Sequence, residues 1–218
     1  MELKGKKIAF LGDSITEGVG ASVLENVYWK VLEQRTGALC FGYGIGGTRI
    51  APQVNIEPDS IDELYYANRV DTMIPDADVV VVFGGTNDFG HGDAPFGFVE
   101  DTDERTFCGA FHKLCRKLFT RYPKAQLVVM TPLHRCSEDD GPFNEKGVRL
   151  VSDLRGYVDA IIEIAGFYAI PVLDLYRVSG IQPRVPELKE RYMPDGLHPS
   201  DAGNARIAEK LMGFLKTL

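Results

Sequence analysis

The stretch Phe10-Leu11-Gly12-Asp13-Ser14-Ile15-Thr16-Glu17-Gly18 decides how this chain is read. It completes Lys7-Ile8-Ala9-Phe10-Leu11, a short apolar run bounded by a glycine, as a buried strand is. A serine just past the first strand of an α/β sheet stands where such folds place their ligands. A lone serine hydroxyl is a poor nucleophile, so a reactive Ser14 needs a base, an acid that orients the base, and oxyanion donors. The same residues also suit a plain strand-to-helix turn capped by Asp13 or Ser14. The rest of the chain decides between the two readings.

Outward from this stretch, Tyr28-Trp29-Lys30-Val31-Leu32-Glu33 continues an amphipathic segment up to Gly37, a helix C-cap. Ala38-Leu39-Cys40-Phe41 reads as a second strand. It opens into a flexible glycine loop, Gly42-Tyr43-Gly44-Ile45-Gly46-Gly47-Thr48. Gly42, Gly44 and Gly47 match the dinucleotide pattern GxGxxG, which requires its glycines to open a helix after the first strand. Here they follow the second strand, and Pro52 and Pro58 interrupt the sequence beyond them, so nucleotide binding is set aside.

Ala77-Asp78-Val79-Val80-Val81-Val82-Phe83 is the clearest strand. Its four valines without polar alternation imply burial on both faces. It ends in the turn Gly84-Gly85-Thr86-Asn87-Asp88, and a loop is expected from Phe89 to Asp101. A helix follows over Thr102 to Tyr122, with Phe107, Phe111, Leu114, Leu118 and Phe119 on one face. Cys108 and Cys115 on that helix suit packing better than redox pairing. Gln126 to Thr131 forms the fourth strand, and the polar segment 133–147 suggests a loop over the site. A helix from Val148 to Ala165, a fifth strand from Ile170 to Asp174, and an irregular stretch from Tyr176 to Met193 come next. Ser200 then caps a last helix running to Leu218.

This alternation, without repeats or linkers, predicts one three-layer α/β domain over residues 1–218. Its sheet should be five-stranded and mostly parallel, in the flavodoxin-like order 2-1-3-4-5. Composition is ordinary for a soluble globular protein: 218 residues, 44% hydrophobic and 25% charged. A net charge of -7 argues against nucleic acid or an anionic membrane as partner. No apolar run reaches the length of a membrane span, and the N-terminus lacks a signal-peptide core. Cys40, Cys108, Cys115 and Cys136 show no CxxC pair, as expected of reduced thiols in a cytoplasmic protein. The sequence leaves open whether the chain forms a homo-oligomer.

A base for Ser14 must come from four histidines. His112 falls within a helical face. His91 and His134 lie in loops after the third and fourth strands, where either could touch substrate. His198 stands in Met193-Pro194-Asp195-Gly196-Leu197-His198-Pro199, three residues after Asp195, so that one tight turn can present both side chains. Asp195-Gly196 is equally an ordinary turn pair. Oxyanion donors are available from the Ser14 N–H, the glycine loop and Asn87.

Gly12-Asp13-Ser14, Gly46-Gly47-Thr48, Gly85-Thr86-Asn87-Asp88 and Asp195-Gly196-Leu197-His198-Pro199 resemble, in order and spacing, the four blocks of the GDSL or SGNH hydrolases. The resemblance implies that Ser14 is the nucleophile, His198 the base and Asp195 its partner. It implies an oxyanion hole made by Ser14, Asn87 and Gly47, with Gly46 as the alternative donor. The family's second block often opens on asparagine, where this chain has Gly42. The GxSxG elbow of the α/β-hydrolases is absent.

The expected activity is therefore that of a serine esterase, with a small-molecule ester as substrate and no metal or cofactor. Asp13, Arg49, Asp88, His91 and His134 are candidate substrate contacts. Asp93, Asp139 and Asp140 read as solvated carboxylates. The polar loops, with Phe89, Phe96 and Phe98 as their main apolar residues, favour a short acyl group on a polar alcohol such as a sugar. A long-chain lipase or thioesterase, or a carbohydrate-binding module without catalysis, is the alternative.

Overall fold

The computed structural model describes residues 1–54, 59–139 and 153–218. Its strands are β1 (Lys7–Gly12), β2 (Leu39–Gly44), β3 (Val79–Phe83), β4 (Gln126–Met130) and β5 (Val172–Leu173). They form one sheet in the order β2-β1-β3-β4-β5, and every pairing is parallel. This is the predicted topology. Ala9, Leu11, Val80, Val82, Leu127 and Val129 point into one apolar layer, while Ile8, Phe10, Val79, Val81, Val128 and Met130 point into the other. Both faces of the sheet are thus covered, which is why the strands read as unbroken apolar runs.

The helices are α1 (Ser14–Glu17), α2 (Tyr28–Thr36), α3 (Tyr66–Arg69), α4 (Thr86–His91), α5 (Phe107–Arg121), α6 (Leu154–Phe167), α7 (Leu175–Val178), α8 (Pro186–Tyr192) and α9 (Asp201–Thr217). Among the described residues, none is long and apolar enough to cross a membrane. Caps set several boundaries. Thr106 and Ser200 accept N–H groups from Gly109 and Gly203 at the starts of α5 and α9, and Gly37 closes α2 in the left-handed region.

Several expectations are corrected. Gly42 and Gly44 belong to β2 and not to a flexible loop. A Cβ on Gly42 would come within 2.5 Å of the Trp29 indole, and one on Gly44 within 2.0 Å of the Glu17 backbone nitrogen. These glycines let α1 and α2 lie against the strand, a use unrelated to phosphate. Helix α5 starts at Phe107 and not Thr102. Phe119 leaves its buried face and is 41% exposed. The expected loop at Phe89 begins within α4. The stretch read as irregular contains α7 and α8, with Pro186 at the first helical position, where its missing N–H costs nothing. Residues 140–147 of the expected site loop, the first residues of the expected helix from Val148, and Asp140 lie outside the described residues.

Candidate active site

The ends of β1, β2 and β3 carry three of the sequence blocks, and the turn before α9 brings the fourth to Ser14. Asp13 caps α1 by accepting the Ile15 N–H (3.0 Å), and Gly18 (φ 110°) closes the helix one turn later. Ser14 therefore sits on the first residue of a four-residue helix with no room to drift. That helix is pinned from α2, where the Trp29 indole N–H donates to the Thr16 carbonyl (2.9 Å) and the Tyr28 hydroxyl meets Thr16 Oγ1 (2.9 Å).

The Ser14 Oγ lies 3.0 Å from His198 Nε2, and His198 Nδ1 lies 2.7 Å from Asp195 Oδ2. Asp195 uses its other oxygen to accept the backbone N–H groups of Leu197 (2.8 Å) and His198 (2.7 Å). The turn so bound fixes the angle between acid and imidazole. Partial burial pushes the Asp195 carboxyl up, but these N–H groups and the imidazole outweigh it and hold the carboxyl below its ordinary value. The carboxylate thus stays charged opposite Nδ1–H, which orients Nε2 as an acceptor for the Ser14 hydroxyl. Cys136 packs on this turn: its N–H donates to the Gly196 carbonyl (2.9 Å), and its thiol occupies the space a Cβ on Gly196 would need.

The candidate oxyanion donors divide. The Gly46 N–H is committed to Glu17 Oε2 (2.8 Å). Gly47, at φ 75°, has no acceptor for its N–H among the described residues. Asn87 is buried on the first turn of α4, and its Nδ2 donates to the Thr48 carbonyl (3.0 Å). An amide nitrogen carries two hydrogens, so one remains for another acceptor. The arrangement joins a hydroxyl, a base with its carboxylate, and N–H donors, as acyl transfer through a tetrahedral intermediate requires.

The residues expected to touch substrate fare differently. Asp13 and Asp88 are buried, and burial raises both carboxyls to about 6. Asp88 accepts the Ile50 (3.0 Å) and Ala51 (2.9 Å) N–H groups, so it ties α4 to the segment after β2 and has no exposed oxygen to offer a substrate. Arg49 pairs with Asp62 and donates to His91. His91 in turn meets Asn87. His134 lies against Tyr176 with ring centroids 3.7 Å apart and the planes tilted by 34°, and it bonds Glu138, which also faces Arg184. Phe89 and Phe96 belong to the core around Tyr157, whereas Phe98 is 76% exposed. Asp93 accepts the Val54 N–H, and Asp139 pairs with Arg184.

Two residues important to this geometry are missed in the sequence. Glu17 occupies Gly46. Arg69, only 4% exposed, donates to the carbonyls of Gly12 (3.0 Å), Tyr43 (2.8 Å) and Leu64 (2.8 Å) and to Thr48 Oγ1 (2.9 Å). It clamps the ends of β1 and β2 together. Glu17 could have been sought as the last charged residue of the opening motif, but Arg69 carries no local signal.

The sequence profile of the GDSL-like lipase/acylhydrolase family matches residues 10–206. A GDSL lipase of Mycobacterium tuberculosis is 27% identical over 212 residues, covering 94% of this chain and 79% of that protein. A solved structure from Lactobacillus plantarum is 34% identical, with a TM-score of 0.81 and 98% of each chain covered. A two-domain esterase active on acetylated mannans shares the fold, with TM-score 0.62 and 22% identity. The match covers 98% of this chain and 49% of that one.

Proposed function

The chain belongs to the GDSL-like lipase/acylhydrolase family, and from that premise we propose that it is a serine esterase acting through an acyl-enzyme at Ser14. One observation carries the reading: the unbroken line from Ser14 Oγ through His198 to Asp195, with both links within hydrogen-bond distance. The Ser14 hydroxyl attacks the ester carbonyl while His198 Nε2 takes its proton, and Asp195 stabilises the imidazolium. The negative charge that develops on the carbonyl oxygen is received by N–H groups of Ser14, Gly47 and the Asn87 side chain. The Gly47 N–H, without an acceptor among the described residues, and the occupied Gly46 N–H favour Gly47 as the loop donor.

Collapse of the intermediate breaks the C–O bond, and the alcohol leaves with the proton from His198. Water then attacks the acyl-serine, His198 accepts its proton, and the carboxylic acid departs as Ser14 regains its hydrogen. The preferred substrate is a short acyl ester of a polar alcohol, a reading supported by the burial of Phe89 and by the packing of Phe96 against Phe107 and Tyr157, which takes apolar surface away from an acyl channel.

Hydrolysis of p-nitrophenyl acetate by wild type and Ser14→Ala tests the assignment. Wild type should turn over and be labelled by a serine-directed phosphonate, while the variant should do neither yet remain folded. Near-wild-type kcat in Ser14→Ala would remove the serine from the mechanism.

A further inference from the structure

Asn87 has an unusual neighbour for a turn residue. His91 lies one helical turn further along α4, and its Nε2 stands 3.2 Å from Asn87 Oδ1. Its Nδ1 faces Arg49 Nη2, and the same guanidinium nitrogen also donates to the His91 carbonyl (3.3 Å). Asp62 holds Arg49 through its other terminal nitrogen, Nη1.

Donor and acceptor chemistry fixes each partner in this row. A guanidinium can only donate, so Nδ1 must accept and the ring proton must sit on Nε2. That N–H can then donate only to an oxygen, which places Oδ1 of Asn87 toward the ring. At the far end the Thr48 carbonyl can only accept, which independently places Nδ2 there. The two ends agree. The amide is held at both atoms, and its second N–H has no acceptor among the described residues. Partial desolvation of the ring, with Arg49 and Arg135 beside it, disfavours a doubly protonated ring and outweighs the opposing pull of Asp62.

We propose that His91, locked by Arg49 in its Nε2–H tautomer, is the positioning residue that holds the Asn87 amide with one N–H presented to the oxyanion. The inference rests on Asn87 being an oxyanion donor, as in the function proposed above. An amide bound only at Thr48 could swing about that single contact, and a donor displaced by an ångström loses much of its effect. His91 also polarises the amide through its oxygen, which strengthens the remaining N–H as a donor.

A double-mutant cycle with p-nitrophenyl acetate separates the two claims. Asn87→Ala should lower kcat by about 10²–10³ with little change in KM, as loss of one oxyanion donor does. His91→Ala should lower kcat about tenfold or more at nearly constant KM, as misplacement of a reacting group does. Placed in the Asn87→Ala background, His91→Ala should cost almost nothing further, because it acts only through Asn87. His91→Gln, whose side-chain N–H can reach the same oxygen, should recover most of the kcat.

Nitrogen-15 spectra of the histidine rings should show His91 as the Nε2–H tautomer in wild type. An undiminished kcat in Asn87→Ala would overturn the oxyanion assignment and the inference with it. With Asn87→Ala impaired, three results overturn the inference alone. They are an equal loss from His91→Ala in both backgrounds, wild-type kcat in His91→Ala, or a ring proton on Nδ1.

Discussion

In the mechanism proposed above Ser14 and His198 act on one proton, so their removal should not add. His198→Ala is expected to damage kcat nearly as much as Ser14→Ala, and the double variant should be little worse than either. Asp195→Ala should be milder, because its carboxylate orients and stabilises the imidazole without exchanging the reacting proton. If His91→Ala or His134→Ala abolished turnover while His198→Ala stayed active, the base would have to be reassigned. These residues were legible in the sequence because each lies in a short block with its own local turn. Arg69 and the tie from Asp88 to Ile50 and Ala51 were not, since their partners lie far apart in sequence and only the sheet brings them together.

Asp88 also makes a test of electrostatics at this scale. Its folded carboxyl titrates at about 6 against an ordinary 3.8, chiefly because it is buried. A raised carboxyl gives a stability contribution that is full below the unfolded value and is lost as pH rises through the folded one. The loss should amount to on the order of 3 kcal/mol by pH 7. Asp88→Asn removes that pH-dependent part and leaves a constant cost from one unmatched N–H. The variant should therefore gain on wild type between about pH 4 and 7 when denaturation midpoints are compared. Parallel stability curves over that range would rule the argument out.

At the scale of elements, the close approach of α1 to β2 is what holds Ser14 in place. A Cβ on Gly44 would lie 2.0 Å from the Glu17 nitrogen and 2.3 Å from the Thr16 carbonyl carbon, and backbone cannot yield as a side chain can. Gly44→Ala should thus cost about 1–3 kcal/mol and lower kcat by displacing α1. Gly213, inside α9, has no atom within 4 Å of its Cβ position. Gly213→Ala should instead stabilise by about 0.5–1 kcal/mol. For a chain of this size each kcal/mol moves Tm by about 2–4 °C, so the opposite signs are measurable. A neutral Gly44→Ala would mean that α1 can shift away from β2 without loss.

The long elements were readable from their periodicity, whereas α4, α7 and α8 were not. Gly85 and Pro186 look like breakers in sequence, yet in the fold they start helices. Gly42 and Gly44 erred in the other direction. Glycine was read as flexibility where the packing of α1 and Trp29 required a missing side chain.

For the whole molecule, the regular alternation of strands and helices was enough to predict the sheet order, because right-handed crossovers leave few alternatives. It could not predict the shape of the acyl site, which depends on which loop side chains the core consumes. Phe89 is buried, and Phe96 packs against Phe107 and Tyr157 at 5.9 and 4.9 Å. Beside Gly47, the proposed loop donor, lies Ile61, whose Cδ1 is 3.7 Å from the Cβ position of that glycine and which is 44% exposed. One exposed isoleucine can cover an acetyl or butyryl group but cannot desolvate a long chain, in which each buried CH₂ would contribute about 0.8 kcal/mol. Across p-nitrophenyl esters, kcat/KM should peak at acetyl or butyryl and fall beyond. Ile61→Ala should weaken butyryl turnover more than acetyl. A higher kcat/KM for dodecanoyl or palmitoyl esters than for acetyl would defeat this reading. It would require Ile61 to continue into a larger apolar surface, with the exposed Leu64 of the same helical turn as its first member.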